Sequence, residues 1–390
     1  MRTLLPLLFF LTLCTCDRAN EVTGVTTTPL PDRGGAIDST MALTPRAIEP
    51  ETVFDYEDIL WSFRFLPGEA GEMIATDKSG KLLIIRDGRA TEVSGVPAVK
   101  DQGQGGLLDV LLDQEFEANR YVYLSYSEPA ERGDDAGTTV ARARLSDDMR
   151  SLGELEILYR MGPKTGKSHH FGSRMAWGRD GKLYFTIGDR GDRDRNPQDI
   201  TRDGGKVYRI NADGSIPQDN PFVGQRGAKE ATYSYGHRNL QGLIVHPVTG
   251  ELWEHEHGPR GGDEINLPEA GKNYGWPVIT YGINYDGSQI TPEVAKEGME
   301  QPLHYWVPSI APSGMAFITG DNYPGWEGDL LVGSLKFMYI QHVRLDGKEV
   351  IGEDVLIKGL GRVRDVRMGP DGWAYASVEG VGIVRLGVKG

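Results

Sequence analysis

The chain has 390 residues, 39% of them hydrophobic and 25% charged, a globular balance that suits one large all-β domain or two ordinary ones. Its formal net charge of -14 argues against a nucleic-acid partner, whose polyanionic backbone it would repel. The 52 glycines are well above the ~7% background share and follow no collagen period, so they point to many tight turns between short strands.

Arg2 gives the chain a positive start, and Leu4 to Leu13 form an apolar run broken by Pro6 and Thr12. The run is shorter than the ~20 residues of a membrane span, so residues 1–16 read as an export signal. Leu13 to Cys16, LCTC, resemble a bacterial lipoprotein box in which Cys16 carries the lipid, although Cys14 stands where a small residue is usual. A lipid anchor and a cleaved secretory peptide are both open. Either places the protein in the periplasm, free or held at the membrane facing it. Residues 17–50, rich in Thr, Pro and Gly, read as a flexible tether. Beyond Cys14 and Cys16 there is no cysteine, hence no disulfide, thiolate nucleophile or zinc–thiolate site in the body of the protein.

From Trp61 onward one pattern recurs: an apolar alternation, a turn rich in Gly, Asp or Pro, then a second apolar run. It is found at Trp61–Arg86, Leu107–Tyr126, Ser173–Asp189, Leu240–Glu256, Gly314–Leu335 and Val363–Val378. The copies begin about fifty to seventy residues apart, which leaves room for two more strands in each. Val207–Ile210 and Val343–Leu345 read as such outer strands, and Leu111–Asn119 as a helical turn. A lone four-stranded sheet cannot bury both faces, whereas six stacked radially can. The spacing therefore predicts an all-β, six-bladed β-propeller with four-stranded antiparallel blades over residues 51–390; a seventh degenerate blade or a β-sandwich is the weaker alternative.

His170, Arg174 and Asp189 belong to the third copy. A neutral imidazole suits proton abstraction, with a reference pKa near ~6.5, and a carboxylate beside it would fix its tautomer. Adjacent antiparallel strands can bring His170 and Asp189 together; a surface histidine beside a turn aspartate is the competing reading. His237, Arg238 and Asn239 precede the fourth copy, while Lys336, Arg362 and Arg364 fall near the fifth and sixth. Cations converging on the axis would need an anionic ligand or paired acids. Glu256–Asn266, EHGPRGGDEIN, offers backbone carbonyls suited to calcium, as does Asn211–Asn220 more weakly, where an ordinary turn is the simpler account. Zinc at His255 and His257 is disfavoured, since an extended strand turns them to opposite faces. Rossmann, P-loop and G-x-S-x-G signatures are missing, which removes the common nicotinamide, phosphoryl-transfer and α/β-hydrolase readings.

In this order, GQGGLLDV, HFGSR, YFTIGD, YGHRNLQGL, HGPRGGDEIN, NYGWP, GSLK and GRVRDV resemble the soluble quinoprotein glucose/sorbosone dehydrogenase family, especially its bacterial aldose sugar dehydrogenases, from about Trp61 to Leu386. The resemblance implies a six-bladed propeller holding pyrroloquinoline quinone (PQQ) and calcium (Ca2+) at the axis. It implies His170 as general base, Asp189 as the carboxylate assisting it, and Gln104 in the substrate pocket. Arg238 would stand near the reactive quinone carbonyl and Asn239 would touch the cofactor, while Lys336, Arg362 and Arg364 would bind the cofactor's acidic groups. The carbonyls of Gly258 and Pro259 would hold calcium beside the quinone, and Glu264 and Tyr274 would belong to a second calcium site. Two positions depart from the pattern: His257 stands where a glutamine can, and Ser309 replaces a threonine near the cofactor.

The implied reaction oxidises the anomeric C1 hydroxyl of aldose sugars to lactones by hydride transfer to the quinone. Electrons would pass to an external acceptor, a quinone or cytochrome, because no Cys-x-x-Cys-His haem motif is present. Long dimer-contact insertions known in some members are missing, which implies a monomer. A non-catalytic glycan- or protein-binding propeller and a calcium-dependent lactonase are the rival functions.

Overall fold

The computed structural model describes residues 47–68 and 71–389. The expected export signal, Cys16 and the expected tether up to residue 46 lie outside the described residues. Twenty-four strands form six separate four-stranded antiparallel sheets, the blades of a six-bladed propeller. In blades one to five the strands follow chain order from the axis outward, beginning with Leu60–Phe65, Leu107–Leu112, Met175–Trp177, Leu240–Val245 and Pro312–Phe317. The sixth is built from Val363–Met368, Ala374–Val378 and Gly382–Val388, and is completed by the first strand of the chain, Ile48–Asp55. Ile48 pairs with Val388 and Asp55 with Gly382, so the ring is closed by backbone hydrogen bonds between its two ends. The sequence boundary at residue 51 falls inside this strand, and Ile48–Pro50 belong to the propeller.

Burial fades with distance from the axis. The second strands Met73–Asp77, Leu183–Ile187, Leu252–Glu256, Leu330–Ser334 and Ala374–Val378 are buried throughout. The outermost strands Arg89–Val93 and Leu152–Arg160 are mostly exposed. Second strands carry neighbouring blades on both faces, so they read as continuous apolar runs, whereas edge strands are polar along one row. Six apolar clusters follow, one at each blade–blade boundary; Trp253, Met315 and Phe317, for example, join blades four and five. The helix expected over Leu111–Asn119 is confined to Phe116–Asn119, because Leu111 and Leu112 complete an inner strand.

In five blades the pairing of first and second strands slips near the axial end, between Leu60 and Ser62, Leu107 and Val110, Leu240 and Gly242, Pro312 and Met315, and Val363 and Asp365. Such bulges re-aim side chains. Here they accompany a polar layer on the axis: Arg174 lies 3.1 Å from Asp365 and 3.6 Å from Asp109, Arg64 lies 3.1 Å from Asp109, and Arg367 lies 3.0 Å from Asp365. Arg174 also donates to the carbonyls of Gln241 (2.8 Å) and Arg364 (2.9 Å), and its guanidinium stands 4.2 Å from the centre of the Trp61 ring. It ties together five blades and belongs to this layer, not beside His170 and Asp189.

Candidate active site

Above the charge layer opens a cavity of about 550 Å³, with Trp61 and Leu108 in its wall. The connections that enter the inner strands supply Gln104, Phe171, Gly172, Asn239, Ser309 and Arg362, the inner strand of blade six supplies Arg364, and the loops after the second strands of blades four and five supply Pro259 and Lys336. Seven residues named from the sequence (Gln104, Asn239, Pro259, Ser309, Lys336, Arg362 and Arg364) therefore face one space.

His170 directly precedes Phe171 and Gly172 of this wall, and its amide donates to Gln104 Oε1 at 2.7 Å. Gly172 allows the close approach: its φ is +65°, and a Cβ there would lie 2.7 Å from the Gly188 nitrogen. His170 Nδ1 lies 2.6 Å from Asp189 Oδ1. An ionised carboxylate can only accept, so Nδ1 carries the proton and Nε2 keeps its lone pair. Asp189 Oδ1 also accepts from the Gly191 amide at 2.7 Å, and Oδ2 from the Trp276 indole at 2.9 Å. Burial pushes the His170 pKa down to about 4, helped by the charge of Arg238 and opposed by Asp189. Burial works to raise the Asp189 pKa, but His170, Arg238 and the Gly191 amide outweigh it and hold the carboxyl below its ordinary value. The pair is a neutral imidazole on an ionised carboxylate throughout the neutral range.

Arg238 donates through Nη1 to the carbonyls of His257 (2.8 Å) and Gly258 (2.9 Å). The Gly258 carbonyl, named from the sequence as a calcium ligand, is thus already engaged by a guanidinium. A Cβ at Gly258 would overlap Gly261 and Gly262, so the tight loop requires glycine. Asp263 fastens that loop to the next blade, accepting from the Gly258 amide (2.8 Å), the Ser309 hydroxyl (2.8 Å) and the Ile310 amide (2.7 Å). Ser309 has thereby spent its one donor and faces the cavity as an acceptor. The cationic wall is also partly neutralised: Glu379 pairs with Arg362 at 2.8 Å and closely with Arg364. Of the two expected forms of compensation, an anionic ligand or paired acids, the paired acid is present for these two arginines. Lys336 differs, having no ion-pair partner among the described residues.

Behind the loop lies a second cluster. Glu254 and Glu256 lie on one face of a strand, and Glu264 is paired opposite Glu256. His237 Nδ1 stands 3.1 Å from Glu256 and 3.5 Å from Glu254, and the ring stacks on Tyr274 at 4.5 Å. The ligand atoms of His237, Glu254 and Glu256 lie within 4.8 Å of one another. Burial and the neighbouring Glu256 charge push Glu264 well up and raise Glu254 to about 7. For His237 burial works downward, but the two glutamates prevail and raise it to about 9. Glu254 Oε2 is buried without a hydrogen-bond partner. The carboxylates of Glu254 and Glu256, one oxygen of Glu254 being unpartnered, are hard donors suited to a divalent cation, with Glu264 paired alongside. The Tyr274 hydroxyl donates to the Leu267 carbonyl.

A family model for Glucose / Sorbosone dehydrogenase matches residues 57–384. The chain belongs to that family. It is 41% identical over 349 residues to aldose sugar dehydrogenase YliI of Escherichia coli K12, covering 88% of this chain and 93% of that one. The crystal structure of the soluble aldose sugar dehydrogenase of Escherichia coli in its apo form superposes with a TM-score of 0.82 at 40% identity, over 87% of this chain and 98% of that one. The PQQ-bound aldose sugar dehydrogenase of Streptomyces coelicolor superposes with a TM-score of 0.72 at 27% identity, over 87% and 98%.

Within this glucose/sorbosone dehydrogenase chain, sequence reading missed Glu254, Glu256, Asp263, Glu379 and Trp276. The signal for the first two was present, since Trp-Glu-His-Glu puts both glutamates on one strand face and His255 on the other. Glu379 was within reach of the same hairpin reasoning as Asp189, lying 17 positions from Arg362 and 15 from Arg364 with Val363 paired to Val378, whereas Trp276 lies 87 positions from Asp189 and no local pattern marks it.

Proposed function

We propose that this chain oxidises the anomeric hydroxyl of aldose sugars to lactones with PQQ and calcium, passing electrons to an external quinone or cytochrome. The observation that carries this reading is the His170–Asp189 pair set beside a cavity lined by Lys336, a cation with no ion-pair partner among the described residues. The PQQ-bound relative from Streptomyces coelicolor supports the choice of cofactor. So does the cavity itself: the Asn239 Nδ2 donor is buried without a partner, and Lys336, Arg362 and Arg364 suit an acidic ligand.

When bound, the quinone supplies the two-electron sink for the hydride leaving C1. The residues of this chain do the rest. His170 Nε2 takes the proton of the anomeric hydroxyl, and Asp189 holds the tautomer and stabilises the charge that the ring acquires. Gln104 fixes the His170 backbone and lines the substrate space. Lys336, Arg362, Arg364, Asn239 and Ser309 would hold the cofactor. Arg238 would present positive charge where oxygen charge develops. The carbonyls of Gly258 and Pro259 would hold calcium, Gly258 through the lone pair that Arg238 leaves open. Glu264 and Tyr274, with Glu254 and Glu256, would hold a second calcium ion.

Reconstitution tests the reading. Purified protein given PQQ and calcium should gain dye-linked aldose oxidation and lose it when both are removed. Activity indifferent to their removal would refute it and favour a hydrolytic lactonase. We further propose export to the periplasm, a lipid anchor or cleavage at Cys16, and a monomer; the mass of the mature N-terminus and light scattering check these.

A further inference from the structure

The His170–Asp189 pair has a third member. Trp276 lies in the connection after the strand Asp263–Asn266 and is buried, with its indole N–H on Asp189 Oδ2 at 2.9 Å. Oδ1 receives His170 and the Gly191 amide instead. A carboxylate gripped separately on each oxygen cannot rotate its charge away from the imidazole. Trp276 is itself fixed, its amide donating to the Gly236 carbonyl at 2.8 Å and its carbonyl accepting from Gln198 at 2.8 Å. An indole can donate but has no acceptor nitrogen, so it favours the ionised carboxylate and cannot take its proton. The ring also lies 5.4 Å from the Arg238 guanidinium.

We infer that Trp276 is a positioning residue that keeps Asp189 ionised with Oδ1 aimed at His170. The inference rests on reading His170 as the base, and it gives a task to NYGWP, which otherwise serves only as a signature. The charged and titratable groups facing His170 are Asp189, Arg238, His257 and His169, the last with its ring 4.6 Å away. Trp276 acts on the first of these.

The test is a double-mutant cycle of Trp276→Phe with Asp189→Ala. Phenylalanine keeps most of the ring and removes the donor. In reconstituted enzyme, Trp276→Phe should lower kcat about tenfold, as expected for losing a hydrogen bond to a charged group, with little change in aldose KM. In the Asp189→Ala background it should change kcat less than about twofold. A second readout needs no turnover: ¹⁵N-histidine NMR of the full chain follows the His170 titration. Its midpoint should rise in Trp276→Phe, because the carboxylate charge is no longer shared with the indole, and should not move when Asp189 is already alanine. An unchanged or lower midpoint, or equal losses in both backgrounds, would reduce Trp276 to packing and overturn the inference. If wild-type protein oxidises no aldose, the proposed function fails while the NMR cycle still decides the positioning role.

Discussion

Replacing Arg174 by methionine should be the most destabilising single change on the propeller axis. The side chain is 1% exposed and serves two carboxylates that are 0% exposed, Asp109 and Asp365. Three guanidinium groups, from Arg64, Arg174 and Arg367, now surround these two acids. Methionine nearly matches the volume but leaves the Gln241 and Arg364 carbonyls without their donor and Asp365 without its 3.1 Å partner. Breaking a buried ion pair from one side costs about 3–5 kcal/mol. Retained contacts to Arg64 and Arg367 place the expected loss near the lower end of that range. Against a total of about 5–15 kcal/mol, this is a large fraction. Urea unfolding at pH 7, followed by tryptophan fluorescence, reads the difference directly. For Asp365 burial pushes the carboxyl upward, yet Arg174, Arg367 and Arg64 outweigh it and depress the pKa. Its contribution is therefore present above the unfolded carboxyl pKa of ~3.9 and is lost as pH falls through the lower folded value. The penalty for Arg174→Met should accordingly shrink in acid. A loss under about 1 kcal/mol at pH 7 would mean that Arg174 does not hold the two acids in place, and the account of the layer would be wrong.

His170→Ala should keep its cofactor but lose about 10²- to 10⁴-fold in kcat, measured with cofactor occupancy verified by absorbance. Because burial holds the wild-type imidazole at about 4, the base is neutral above that pH, and the acidic limb of kcat/KM should fall near 4 instead of near the ordinary ~6.5. Lys336→Ala should weaken PQQ binding roughly 10- to 100-fold in a fluorescence titration while sparing the fold, since a charge-assisted contact is lost from a side chain with no ion-pair partner among the described residues. Calcium at a hundred times its Kd should add about 2.7 kcal/mol of stability per specific site, and Glu264→Gln should abolish one such increment in a thermal melt.

The blades were legible because their second strands are buried on both sides and announce themselves as runs such as Leu183–Ile187. The outermost strands were not. Ile48–Asp55, with four exposed residues in a row, carries no apolar period, and its first three residues read as tether. Its strand state comes from partners at the far end of the chain. For the site, His170 and Asp189 were visible as ends of one hairpin, and the cations as charges beside inner strands. Glu379 was open to the same hairpin logic, since the pairing of Val363 with Val378 sets it beside Arg362 and Arg364. What sequence could not supply was Trp276, which reaches Asp189 across 87 positions. Such contacts depend on how loops fold over the mouth, which residue spacing does not encode.

The seam between Ile48 and Val388 has an engineering corollary. Since the two ends of the described chain meet in one sheet, a short peptide could splice them and new termini could be cut at an outer hairpin, such as the turn between Asp346 and Glu349. The permuted molecule would keep every blade while moving the fastening elsewhere. Shortening the chain past residue 55 would do the opposite, baring the Gly382–Val388 edge and inviting a neighbouring molecule to lend the missing strand.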